Sequence, residues 1–204
     1  MLRTQRMSSM IQSAGFLTQH MAIHLAMMGL VAPIVATLAL RRNADLFPPR
    51  LHLAAATAAQ VALLWAWHAP SVLTGTHESG VAAVAMHLSL FLCSLWFWAA
   101  IFRETERAPW KSVVALLVTG KLFCLLGILF TFAPRPLYAA IPAHAGHLDA
   151  AAAMMIRDQQ LAGLVMLAAC PAVYVAASTL IARRWLSRID RSGGWSLPVV
   201  RRQE

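Results

Sequence analysis

The sequence predicts an all-α fold, a polytopic membrane helical bundle of about five transmembrane helices forming one domain over residues 1–204. Three observations carry this prediction. Apolar residues make up 59% of the chain, charged residues only 12%, and mean hydropathy is +0.63; a soluble domain has roughly 25% charged residues. Five apolar stretches approach or exceed the roughly 20 residues that a helix needs to cross the hydrocarbon core. Finally, Lys and Arg collect between and after those stretches, so the net charge of +9 reports membrane topology and excludes a nucleic-acid partner.

The spans fall at about 14–40, 51–69, 80–102, 112–132 and 159–182. The first is long and contains Pro33, which predicts a kink or a re-oriented end. Its alternative reading, a cleaved signal peptide with Arg3 and Arg6 as the basic region, fits poorly. The apolar run is too long, it carries His20 and His24, and no small-residue cleavage site follows. Gln60 interrupts the second span. The connector from Ala133 to Arg157 begins as a loop at Pro134, Pro136 and Pro142, and its Ala-rich second half suits a short surface helix. A basic tail, 183–204, closes the chain.

Orientation follows from the basic residues. Arg41, Arg42 and Arg50, then Arg103, Arg107 and Lys111, then six arginines of the tail lie on one side, twelve of seventeen in all. The positive-inside rule puts that side and the C-terminus in the cytoplasm, with the N-terminus outside. On this topology seven of the eight histidines lie at or near the outer face: His20, His24, His68, His77, His87, His144 and His147. Only His52 is cytoplasmic.

This asymmetry is the strongest functional signal. His20 and His24 are spaced i, i+4 and project from one helix face. His87, on a neighbouring helix, is the natural third ligand, and His68, before the turn at Pro70, a fourth. Imidazole suits copper, zinc, iron and nickel, and the thioethers of Met21, Met27, Met28, Met86, Met154 and Met155 in the same half favour Cu(I). Haem held by histidines of two helices is the alternative. Each residue also has a plain structural role. Met fills gaps or faces lipid, and His68 and His77 suit interfacial hydrogen bonding. Cys93, Cys124 and Cys170, on three helices, read as buried filler or as transient copper stops. Asp158 reads as a cap at the start of the fifth helix. Lys121, mid-span, calls for snorkelling, a buried acceptor or an anionic ligand group. No HExxH, GxxxxGK[ST] or CxxCH occurs, and no constellation argues for an enzyme.

Several of these elements together resemble a known family. They are Gln19-His20 with His24 and Ala32-Pro33, Trp65-Ala66-Trp67-His68-Ala69-Pro70, His87 with Phe97-Trp98, and the run from Asp158-Gln159-Gln160 through Gly163 to Met166. The chain is similar over residues 19–175 to the CtaG-type cytochrome c oxidase assembly factors, the polytopic family associated with caa-type oxidases. It departs from the pattern at Ala83, where many members carry a second His, and at Leu167, often Trp, and it looks like a short form with fewer helices. The resemblance implies a multi-pass protein of the bacterial inner membrane that matures the respiratory oxidase, with a membrane-embedded oxidase subunit as partner. Its expected role is to pass copper on by ligand exchange. His20, His24, His68 and His87 would then be ligands, with Asp158 and Gln159 orienting them. The alternatives in function are a b-type haem redox carrier and a scaffolding subunit without metal.

Overall fold

A computed structural model describes residues 15–43, 52–73, 79–138 and 148–191, and these are almost wholly helical. Among the described residues five helices make the bundle: α1 (Phe16–Arg42), α2 (Leu53–Trp67), α3 (Gly80–Arg107), α4 (Pro109–Phe132) and α5 (Leu148–Arg191). Four of them are long and apolar enough to cross a membrane. The exception is α2, whose 15 residues give about 22 Å of helix against a hydrocarbon thickness of about 30 Å. Lipid-facing side chains such as Ile34, Leu88, Leu164 and Leu180 are exposed along the other four, as a bundle solvated by acyl chains requires.

The helices close into a ring. The first half of α1 packs on α5 and its second half on α3; α2 lies between α3 and α4, and α4 packs along α5. The α4–α5 seam depends on small residues. A Cβ built on Gly163 would come within 2.6 Å of the Gly127 carbonyl oxygen, so the two backbones approach as closely as small-residue membrane seams allow. The short α3–α4 corner turns at Ala108. The ring of Pro109 denies that residue the helical region, and Pro109 itself opens α4.

Pro33 acts on α1 as its chemistry predicts. Residues Met27–Val31 form a π turn inside the helix. In π geometry the Met28 carbonyl would accept from residue 33, which as proline has no N–H. That carbonyl turns instead to α3, where Ser94 Oγ donates at 3.0 Å and Trp98 Nε1 at 2.8 Å. Below it, Trp98 stacks on Tyr174 of α5, and Phe97 and Phe123 pack around the same tyrosine. Gln60, the polar residue within α2, donates to the Tyr174 hydroxyl at 3.0 Å.

Two expectations need correction. The Ala-rich stretch is no separate surface helix but is continuous with α5, which runs 44 residues to Arg191 and takes in the start of the basic tail. Alanine is the best helix former and no breaker intervenes before Pro171. Asp158 therefore lies inside α5 and cannot cap its start. It caps α1, accepting from the backbone N–H of Leu17 at 2.8 Å and of Thr18 at 3.1 Å, and from the Thr18 hydroxyl. A carboxylate suits the positive end of a helix whichever element supplies it. The contact is close enough that a Cβ on Gly15 would sit 2.2 Å from the Asp158 carboxyl carbon.

Candidate metal centre

Four histidines from three helices meet at one end of the bundle. On α1, His20 and His24 turn inward just above the π turn, with their Nε2 atoms 2.9 Å apart. From α3, His87 stacks on His24, ring centres 4.7 Å apart. His68 ends α2, its ring 5.7 Å from His20 and 5.6 Å from His24. His20, His24 and His68 are all buried, at 5%, 2% and 3% exposure. One ligand nitrogen from each of these three lies within 4.8 Å of the other two. His68 thus joins the α1 pair in the close set of nitrogens, and the His87 ring packs on His24 beside it.

The polar contacts fix ring roles. His68 Nδ1 lies 2.7 Å from the Leu64 carbonyl and His87 Nδ1 2.7 Å from the Ala83 carbonyl. A carbonyl only accepts, so in each ring Nδ1 carries the proton and Nε2 keeps its lone pair. That arrangement is typical of metal-binding imidazoles. His68 Nε2 is fully buried and has no hydrogen-bond partner, and the same holds for His24 Nδ1. Buried polar atoms are rarely left so, and an ion bound among the imidazoles would satisfy the His68 nitrogen. The donor set fits a borderline-to-soft transition metal.

The support reaches further than the histidines. His68 occupies the C-cap of α2, and its carbonyl accepts a 2.9 Å bond from the Tyr138 hydroxyl. Burial pushes the Tyr138 phenol pKa up, so this hydroxyl keeps its proton and its donor role. Gln159, itself buried, accepts from the Leu137 N–H at 2.8 Å and donates to the Phe130 carbonyl at 3.2 Å. It thereby pins the segment carrying Tyr138 to the end of α4. Gln159 acts on the cluster through backbone, and Asp158 through the entry of α1. No spacing in the sequence pointed to Tyr138, which meets His68 across 70 residues.

Toward the bundle centre a cavity of about 20 Å³ adjoins His24 and is lined by Met21, Met28, Met166 and Cys170. Of the other residues singled out, Met86 is buried, Met154 is exposed, and Cys93 and Cys124 are half-buried. Lys121 faces outward from α4, and His52 stands at the opposite end of the bundle, just before α2. His77, His144 and His147 lie outside the described residues.

These features define a class, a multi-pass helical membrane protein with a buried histidine cluster at one end. The family model of the cytochrome c oxidase caa3 assembly factor (Caa3_CtaG) matches residues 6–188, and the chain belongs to that family. No curated protein and no solved structure matches it. Membership connects the chain with assembly of the oxidase, a role that implies no catalysis of its own.

Proposed function

We propose that the chain binds copper through His20, His24 and His68, with His87 alongside, and hands it to the membrane-embedded subunit of the oxidase. The observation that carries this reading is His68 Nε2, a buried nitrogen without a partner in a ring whose other nitrogen is already tied to backbone. Copper is favoured among imidazole-binding metals by the soft surroundings, since three thioethers and the Cys170 thiol line the adjoining cavity. Transfer is ligand exchange without turnover. The imidazoles hold the ion, Tyr138 and the Leu64 carbonyl orient His68, and the apolar helices exclude water.

The N-terminus lies outside and the C-terminus in the cytoplasm. This orientation is supported by the basic end of the bundle, where Lys111 pairs with Glu104 and Arg188 with Glu106. The histidines then sit in the outer half of the membrane, at the depth of a membrane-embedded copper centre. Haem is disfavoured, because imidazole rings in mutual contact leave no slot for a macrocycle between them.

The test is metal analysis with a visible spectrum on the detergent-purified protein, comparing wild type with His24→Ala and His68→Ala. About one copper per chain without a haem band, lost in both variants, supports the assignment. Iron with a haem band, or no copper after reconstitution with Cu(I), refutes it.

A further inference from the structure

We infer that the lipid-facing side of α4 around Lys121 is a docking face for a transmembrane helix of another protein bearing an Asp or Glu near mid-depth. Lys121 is exposed, and among the described residues it has no hydrogen bond or ion pair. It stands twelve residues from the start of α4 and eleven from its end, about 18 and 16 Å along the axis. A lysine side chain reaches about 6 Å, and bilayer headgroups begin about 15 Å from the midplane. Snorkelling therefore leaves the ammonium in hydrocarbon, where a charge is disfavoured by on the order of a hundredfold.

The neighbours of Lys121 shape a seam. Val114, Val118, Lys121, Leu125 and Ile128 follow the alternating four- and three-residue spacing of a helix–helix contact, and all are exposed. Beside them runs a groove of about 830 Å³, lined by Val114, Val118 and Leu122 of α4 and by Thr57 and Val61 of the short α2. A partner helix laid on the seam fills this groove and places its own mid-depth residue against Lys121.

Charge selects the occupant. A second copy joined about a two-fold axis at this point would set Lys121 against its own image, and lipid phosphate lies too far away in depth. A carboxylate on a neighbouring helix neutralises the cation where it stands. The inference is independent of the copper reading.

The probe is a synthetic transmembrane helix of Leu and Ala with one central Glu, compared with the same helix carrying central Leu or Lys. Its association with the full chain in phosphatidylcholine vesicles is read by energy transfer. Wild type is expected to bind the Glu helix at least tenfold more tightly than the Leu helix. Lys121→Leu, a lipid-compatible change whose folding is checked by circular dichroism and by gel filtration in detergent, loses that preference. Lys121→Glu transfers it to the Lys helix. Equal binding of the Glu and Leu helices by wild type, or a preference that survives Lys121→Leu, overturns the proposal. Self-association that weakens in Lys121→Leu would assign the face to a second copy, and suppression of the preference by phosphatidylglycerol would assign it to lipid; either result also overturns it.

Discussion

Two buried polar places lie within a few turns of each other on α1, and they are finished differently. At the π turn the carbonyl freed by Pro33 is met by two donors, Ser94 and Trp98. In the histidine cluster, one turn toward the N-terminus, His24 Nδ1 and His68 Nε2 have no partner. The first is a completed joint, in which a local irregularity binds two helices together. The second leaves buried ring nitrogens without a partner, at a cost of about 1–3 kcal/mol for each unsatisfied group. Gln60 Oε1 and Thr119 Oγ1 are also buried without a partner, so what sets the cluster apart is that its two such atoms belong to imidazoles packed against one another.

The comparison can be broken most directly at His68. His68→Ala is expected to lower copper affinity at least a hundredfold with little change in helical content, as measured by competition with a Cu(I) chelator. Retained copper would show that the unpartnered nitrogen is not a ligand. The joint should behave in the opposite way. Ser94→Ala combined with Trp98→Phe strands the Met28 carbonyl and should cost about 1–3 kcal/mol in unfolding free energy, while copper affinity stays within threefold. Tyr138→Phe removes only the anchor on the His68 backbone. Loss of such an outer contact weakens metal binding by about 10–100-fold, and the lower end is expected here because the contact is to backbone. Smallest is His87→Ala, for which a change of about threefold or less is expected, since His87 packs against the cluster without joining the close set of nitrogens. A larger loss than in His68→Ala would restore the order read from spacing.

Much of this was legible in the chain. Apolar length marks the spans, and the i, i+4 pair on α1 needs only helical geometry. The gathering of histidines at one end follows from topology alone. Depth and distance between helices were not legible, because periodicity orients a residue on its own helix and says nothing of which neighbour it faces. The place of His68 in the close set of nitrogens is therefore held in the short α2 and the turn after it. The role of Asp158 was hidden by the same gap, for it caps a helix more than 140 residues away. Lys121 was placed in mid-span correctly, but its outward direction depends on the order of helices around the ring.

The Asp158 cap bears on biogenesis. The helix that presents His20 and His24 is made before α5, which brings the carboxylate that fixes its entry. Gln159, which pins the segment bracing His68, comes with it. A nascent chain halted before α5 holds all four imidazoles but lacks both clamps. On the proposed copper reading, competence to hold metal would coincide with the arrival of α5, and chains halted before it would be poor traps for free copper.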